Sequence, residues 1–130
     1  MTGALRAGIV GVLARHPEVI GAYLFGSRSR SEATVASDLD LGILCNEPLA
    51  LAALIALEDE LDSATGGRVD LVDLARADPF LALDVVRGDR IYERDGRRLD
   101  EFDLHVLRRA ADLAPFERER RRMFLSAGSP

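Results

Sequence analysis

Lysine is absent from the 130 residues: all 17 basic side chains are arginine. Any lysine nucleophile, and any phosphate-binding loop built on a lysine, is thereby excluded. Cysteine is nearly absent too. Cys45 stands alone, so no intrachain disulfide can form and a secreted, disulfide-stapled scaffold is ruled out. No apolar run approaches the ~20 residues that span a membrane, and the first residues carry no signal-peptide apolar core. The expectation is a cytoplasmic protein without membrane contact. Repeats, low-complexity tracts and linkers are also missing. What remains reads as a single domain over residues 1–130, with 114–130 as a protruding helical or flexible tail. A chain of this length can bury roughly two-thirds of its unfolded surface around one core.

Positive charge is in deficit, with 22 acids giving a net −5, while 48% hydrophobic residues exclude a wholly disordered chain. The deficit is uneven. Residues 1–65 carry four arginines against nine acids, whereas residues 66–130 carry thirteen of each. An acidic N-terminal half argues against a general DNA or RNA binder, which needs a basic face. It leaves nucleotides open, because metal ions can supply the positive charge.

Periodicity gives an α+β order. Leu5, Ile9, Val12 and Leu13 recur at helical spacing over 4–15, and His16-Pro17 ends that helix. Val19 to Phe25 is a short apolar run, predicted as a buried strand that stops at Gly26-Ser27. Asp38 to Leu44 alternates, with Leu39, Leu41 and Ile43 on one face and Asp38, Asp40 and Gly42 on the other. Beyond Pro48, a long helix places Leu51, Leu54, Ile55, Glu58 and Leu61 on one stripe and closes at Gly66-Gly67. Val69 to Val72 is a third strand. Asp78-Pro79 caps and opens a helix that Gly88 ends, and Arg90 to Glu93 is a short strand. Leu99, Phe102, Val106, Ala110 and Leu113 mark a last helix, which Pro115 breaks or kinks. A small mixed sheet with helices against it follows.

Chemistry concentrates in GSRSRSEATVASDLDLGIL, Gly26 to Leu44. Asp38 and Asp40, two apart on a strand, project from one face. Their repulsion is relieved by a shared cation or a raised pKa. A hard divalent ion such as Mg²⁺ suits them, since it takes carboxylates together with substrate phosphates. The plain structural alternative is a strand edge where Asp38 caps a turn and Asp40 meets solvent. Gly26-Ser27 shifts the balance: a strand ending in Gly-Ser presents backbone N–H groups and a hydroxyl to an anion. Arg28 and Arg30 add fixed positive charge for phosphates. Ten residues, Arg28 to Ser37, separate the Gly-Ser from the Asp-x-Asp.

This pattern resembles the minimal nucleotidyltransferases of the DNA polymerase beta-like superfamily, whose signature is Gly-Ser, about ten residues, Asp-x-Asp and a third acid on a later strand. Asp70 in RVDLVDL fits the third acid; Asp73, its rival, falls on the opposite strand face and suits a strand end or turn cap. RVDLVDL, Asp78-Pro79, VVRGDRIYERD and a helix ending RRAADLAPFERERRR resemble the MntA-like adenylyltransferase antitoxins of HEPN–MNT toxin–antitoxin pairs. The resemblance implies a polymerase-palm-like fold. It implies two Mg²⁺ ions on Asp38 and Asp40, with Asp70 completing one metal site and helping to deprotonate the attacking hydroxyl. Gly26, Ser27 and Arg30 would hold the β- and γ-phosphates of ATP. The implied acceptor is a tyrosine on the HEPN partner, silenced by AMP.

Other readings stay beside this one. A binding-only antitoxin would neutralise its partner without chemistry. A small-molecule nucleotidyltransferase usually carries a further domain, for which 130 residues leave little room. Cys45 reads as a packing residue, and His16 and His105 lack zinc-ligand spacing. Tyr92 reads as a half-buried strand residue rather than a self-modification site, and Tyr23 lies in the first strand. The ERERRR tail reads as a solvated face, with contact to an acidic or RNA-bearing partner as its alternative. Met123-Phe124-Leu125 is either a docking segment or core.

Overall fold

The computed structural model describes residues 3–26 and 38–128. The elements follow in the order α1 (Gly3–Ala14), β1 (Val19–Phe25), β2 (Leu39–Cys45), α2 (Leu51–Thr65), β3 (Val69–Asp73), α3 (Pro79–Val86), β4 (Asp89–Glu93) and α4 (Gly96–Gly128). One four-stranded mixed sheet has the order β3-β2-β1-β4. β1 runs antiparallel to both β2 and β4, and β2 runs parallel to β3. The parallel pair needs a crossover, which α2 supplies.

Alternation in β2 divides the core in two. Leu39, Leu41 and Ile43 pack with Leu5, Ile9, Leu13, Leu57 and Leu61, so α1 and α2 cover one face. Ile20, Tyr23, Leu74, Ala82, Val85, Leu99 and Val106 form the second cluster, under α3 and α4. Gly42 is what lets α3 approach. A Cβ there would stand 2.3 Å from Val85 Cγ1. Asp40 leaves β2 toward this second face, as the alternation requires. Among the described residues no helix is long and apolar enough to cross a membrane.

Two expectations need correction. The stripe assigned to α2 is rotated: Leu51 and Ile55 are exposed, while Leu57, Leu61 and Thr65 are buried. The cause is the edge position of β3. Its amides at Val69 and Leu71 are met by Asp62 Oδ1 at 2.7 Å and Glu58 Oε2 at 3.0 Å. Helical spacing puts Glu58 and Asp62 on the stripe of Leu51 and Ile55. Satisfying the strand edge therefore turns those two leucine-like side chains off the core. Pro115, in turn, does not end α4, which continues through it to Gly128. The proline removes one intrahelical bond, to the Ala111 carbonyl, and Ala111 lies exposed to water, which can take up the freed acceptor.

Tyr23, buried in the second face, ties α4 to the sheet by donating its hydroxyl to Asp103. Arg90 joins them, with Nη2 2.6 Å from Asp103 Oδ2 and Nη1 2.9 and 3.0 Å from Glu93 and Asp100. Burial, then Asp103, pushes the Tyr23 phenol well above its usual range. Tyr92 is half-buried on the first face, with Arg94 over its ring. Cys45 is buried, and that burial, reinforced by Asp73 and Glu18, pushes its thiol up to about 12, so it packs as an inert residue.

Candidate functional site

Gly26, Asp38, Asp40 and Asp70 come together at one end of the sheet. β1 ends on Phe25, which pairs with Asp40. The chain then turns at Gly26, where φ is +87°. A Cβ on residue 26 would meet Asp40 Oδ2 at 2.5 Å. Only glycine lets the chain pass so close to that carboxylate while adopting positive φ. On the other side of β2, Asp40 stands directly across from Asp70 in the parallel register. Asp38 precedes β2 by one residue and flanks Leu39, which points into the first core cluster.

The electrostatics follow from the placement. The Asp40 carboxyl is raised above the usual carboxylate range by burial first, then by the charges of Asp70 and Asp38. Asp73 is separate. It is buried on the opposite face, where its carboxylate accepts from Leu49 N at 2.9 Å and Ala75 N at 3.0 Å. It holds the turns that follow β2 and β3. Ser27, Arg28 and Arg30 lie outside the described residues.

The donor set fits a hard divalent cation: carboxylate oxygens only, with a mutual repulsion that such an ion would relieve. The side chains do not stand ready-made around one. Among the described residues no three His, Cys, Asp or Glu groups are arrayed to hold a metal. Asp70 is engaged instead by Arg68, whose Nε lies 3.2 Å from its Oδ1. No motif singles out Arg68, although the strand period in Arg68-Val69-Asp70 puts it on the face of Asp70. An open groove of about 640 Å³, lined by Gly8, Gly11, Asp59, Glu60 and Ser63 among others, lies between α1 and α2, on the helix layer away from the acids.

Comparison with known proteins gives the family and the fold. The family described as Polymerase beta, Nucleotidyltransferase matches residues 8–97. A Methanocaldococcus jannaschii protein named as a protein adenylyltransferase is 43% identical over 49 residues, 38% of this chain and 50% of that protein. The match therefore spans half the relative's length. The fold is similar to a chain in a crystal structure of a toxin–antitoxin with AMP-PNP, with a TM-score of 0.76 and 25% identity over 95% of this chain and 98% of that one. It is also similar to a chain in a complex of a tri-AMPylated Shewanella oneidensis HEPN toxin with MNT antitoxin. There the TM-score is 0.75, with 24% identity over 99% of this chain and 100% of that one.

Proposed function

Given that the chain belongs to the polymerase beta nucleotidyltransferase family, we propose that it is an antitoxin that transfers AMP from ATP to a tyrosine hydroxyl of a cognate HEPN toxin in the cytoplasm. The observation that carries this reading is the register that sets Asp40 across from Asp70, with Asp38 beside them and Gly26 beneath Asp40. Two Mg²⁺ ions, when bound, would supply Lewis acidity at the α-phosphate and neutralise the leaving pyrophosphate. Asp38 and Asp40 would hold them, with Asp70 completing one site. Asp70 would also help accept the proton as the acceptor oxygen bonds to the α-phosphorus and the bond to the β-phosphate oxygen breaks. Gly26, with Ser27 and Arg30, would seat the β- and γ-phosphates. The named M. jannaschii relative and the AMP-PNP complex support the donor and the chemistry. The toxin–antitoxin complexes of the same fold motivate the acceptor.

The test combines purified protein, α-labelled ATP, Mg²⁺ and a candidate HEPN toxin, the product of the adjacent open reading frame if that product is all-helical. Label on a partner tyrosine, lost in Asp40→Asn, is expected; no transfer, or transfer equal in the variant, overturns the reading. A second reading, neutralisation by binding alone, is favoured by the outward face of α4, where Leu104 and Leu107 are about half exposed. It is the outcome if Asp40→Asn still protects cells from the toxin.

A further inference from the structure

Arg68, one residue before β3, and Asp70, within it, are two residues apart and pair with each other. Their pair is open to water, with 71% and 47% of the side chains exposed. The register Leu39↔Val69, continued by one residue, sets Arg68 across from Asp38, and Leu39 N donates to the Arg68 carbonyl at 3.0 Å. This end of the sheet thus carries a square of groups: Asp38 just before β2 and Asp40 on it, Arg68 just before β3 and Asp70 on it. Three corners are acids and one is a fixed cation. We propose that Arg68 is the resident counter-ion of this cluster, holding the Asp70 carboxylate until a divalent cation takes it, so that metal enters in exchange for the guanidinium. The inference rests on the reading of these acids as a metal site.

Physical magnitudes favour an exchange. An exposed pair of this kind is worth at most about a fivefold factor in an equilibrium constant. It is weak enough for a multiply coordinated ion to displace, yet it offsets part of the repulsion among the three acids in the ion-free protein. Nothing in the fold needs the guanidinium, since the strand start is held by main-chain bonds and the side chain lies largely in water. Once released, Arg68 sits beside the cluster with its charge unpaired.

The test is Mn²⁺ binding to the full chain without nucleotide, followed by electron paramagnetic resonance. Arg68→Ala is expected to bind Mn²⁺ about two- to fivefold more tightly than wild type at low salt, with the gap closing as salt is raised. In an Asp70→Asn background the same substitution should leave the affinity unchanged. In wild type, diamagnetic Mg²⁺ should shift the Arg68 Nε–H resonance with a saturable midpoint. Equal or weaker binding by Arg68→Ala, or a gain that persists in Asp70→Asn, overturns the counter-ion role while leaving the metal site standing. No saturable Mn²⁺ binding by wild type overturns the metal-site reading and this inference with it.

Discussion

Gly26→Ala adds one methyl group beneath Asp40, and two separate effects follow. The residue has φ +87°, and forcing an L-residue into the left-handed region costs about 1–2 kcal/mol. In a domain of this size that lowers Tm by about 4 °C for each kcal/mol. The second effect is local. The new Cβ would lie 2.5 Å from Asp40 Oδ2, whereas ordinary contact begins at 3.4 Å, so the carboxylate or the strand end must yield by roughly 0.9 Å. A displacement of about 1 Å among reacting groups is worth on the order of 100-fold in rate. Gly66→Ala separates the two, because that residue has φ +72° but nothing lies within 4 Å of its added Cβ. Calorimetry should show both variants melting lower by similar amounts. Transfer of α-labelled AMP and Mn²⁺ binding should fall only in Gly26→Ala. Wild-type transfer by Gly26→Ala, or an equal loss in Gly66→Ala, would refute the close approach as the reason for glycine.

Other perturbations have equally definite outcomes. Because the folded-state pKa of Asp40 is raised, its contribution to stability is fully present below the unfolded value and is lost as pH rises through the folded one. Metal-free Asp40→Asn should therefore melt above wild type at neutral pH and converge with it near pH 4. Mg²⁺ should raise Tm in wild type but not in the variant, as thermal melts across pH will show. Asp73→Ala strips the acceptor from the amides of Leu49 and Ala75, at about 2–4 kcal/mol in denaturant melts, and should leave the Mn²⁺ affinity of the folded protein intact. Tyr23→Phe removes the hydroxyl bond to Asp103, which keeps Arg90. Stability should drop by about 1 kcal/mol in the same melts, with AMP transfer unchanged.

How far the sequence alone reaches depends on whether a feature is periodic. β2 was legible because Leu39, Leu41 and Ile43 alternate with Asp38, Asp40 and Gly42, and period 2 is a local property of the chain. The same period separated Asp70 from Asp73, and the two carboxylates do occupy opposite faces. The rotation of α2 was not legible. It is decided by the unpaired amides of β3, a strand that becomes an edge only once the sheet order is known. Arg68 escaped for a related reason. Its pairing with Asp70 follows the local strand period, but its place across from Asp38 depends on cross-strand register, which a list of motif residues omits. Of the two outcomes read for Pro115, a break or a kink, the break does not occur, since a proline in an exposed helix loses one hydrogen bond that water can replace. Gly26 shows the converse: its place in the motif was visible, but the carboxylate resting on it was not.

The most direct test of the account uses ATP labelled separately at the α- and γ-phosphorus, incubated with Mg²⁺, this protein and the candidate HEPN toxin. The carboxylate cluster predicts that α-label alone appears on a partner tyrosine, with γ-label released as pyrophosphate, and that Asp40→Asn abolishes both. Transfer of γ-label, or α-label transfer undiminished in Asp40→Asn, would contradict it.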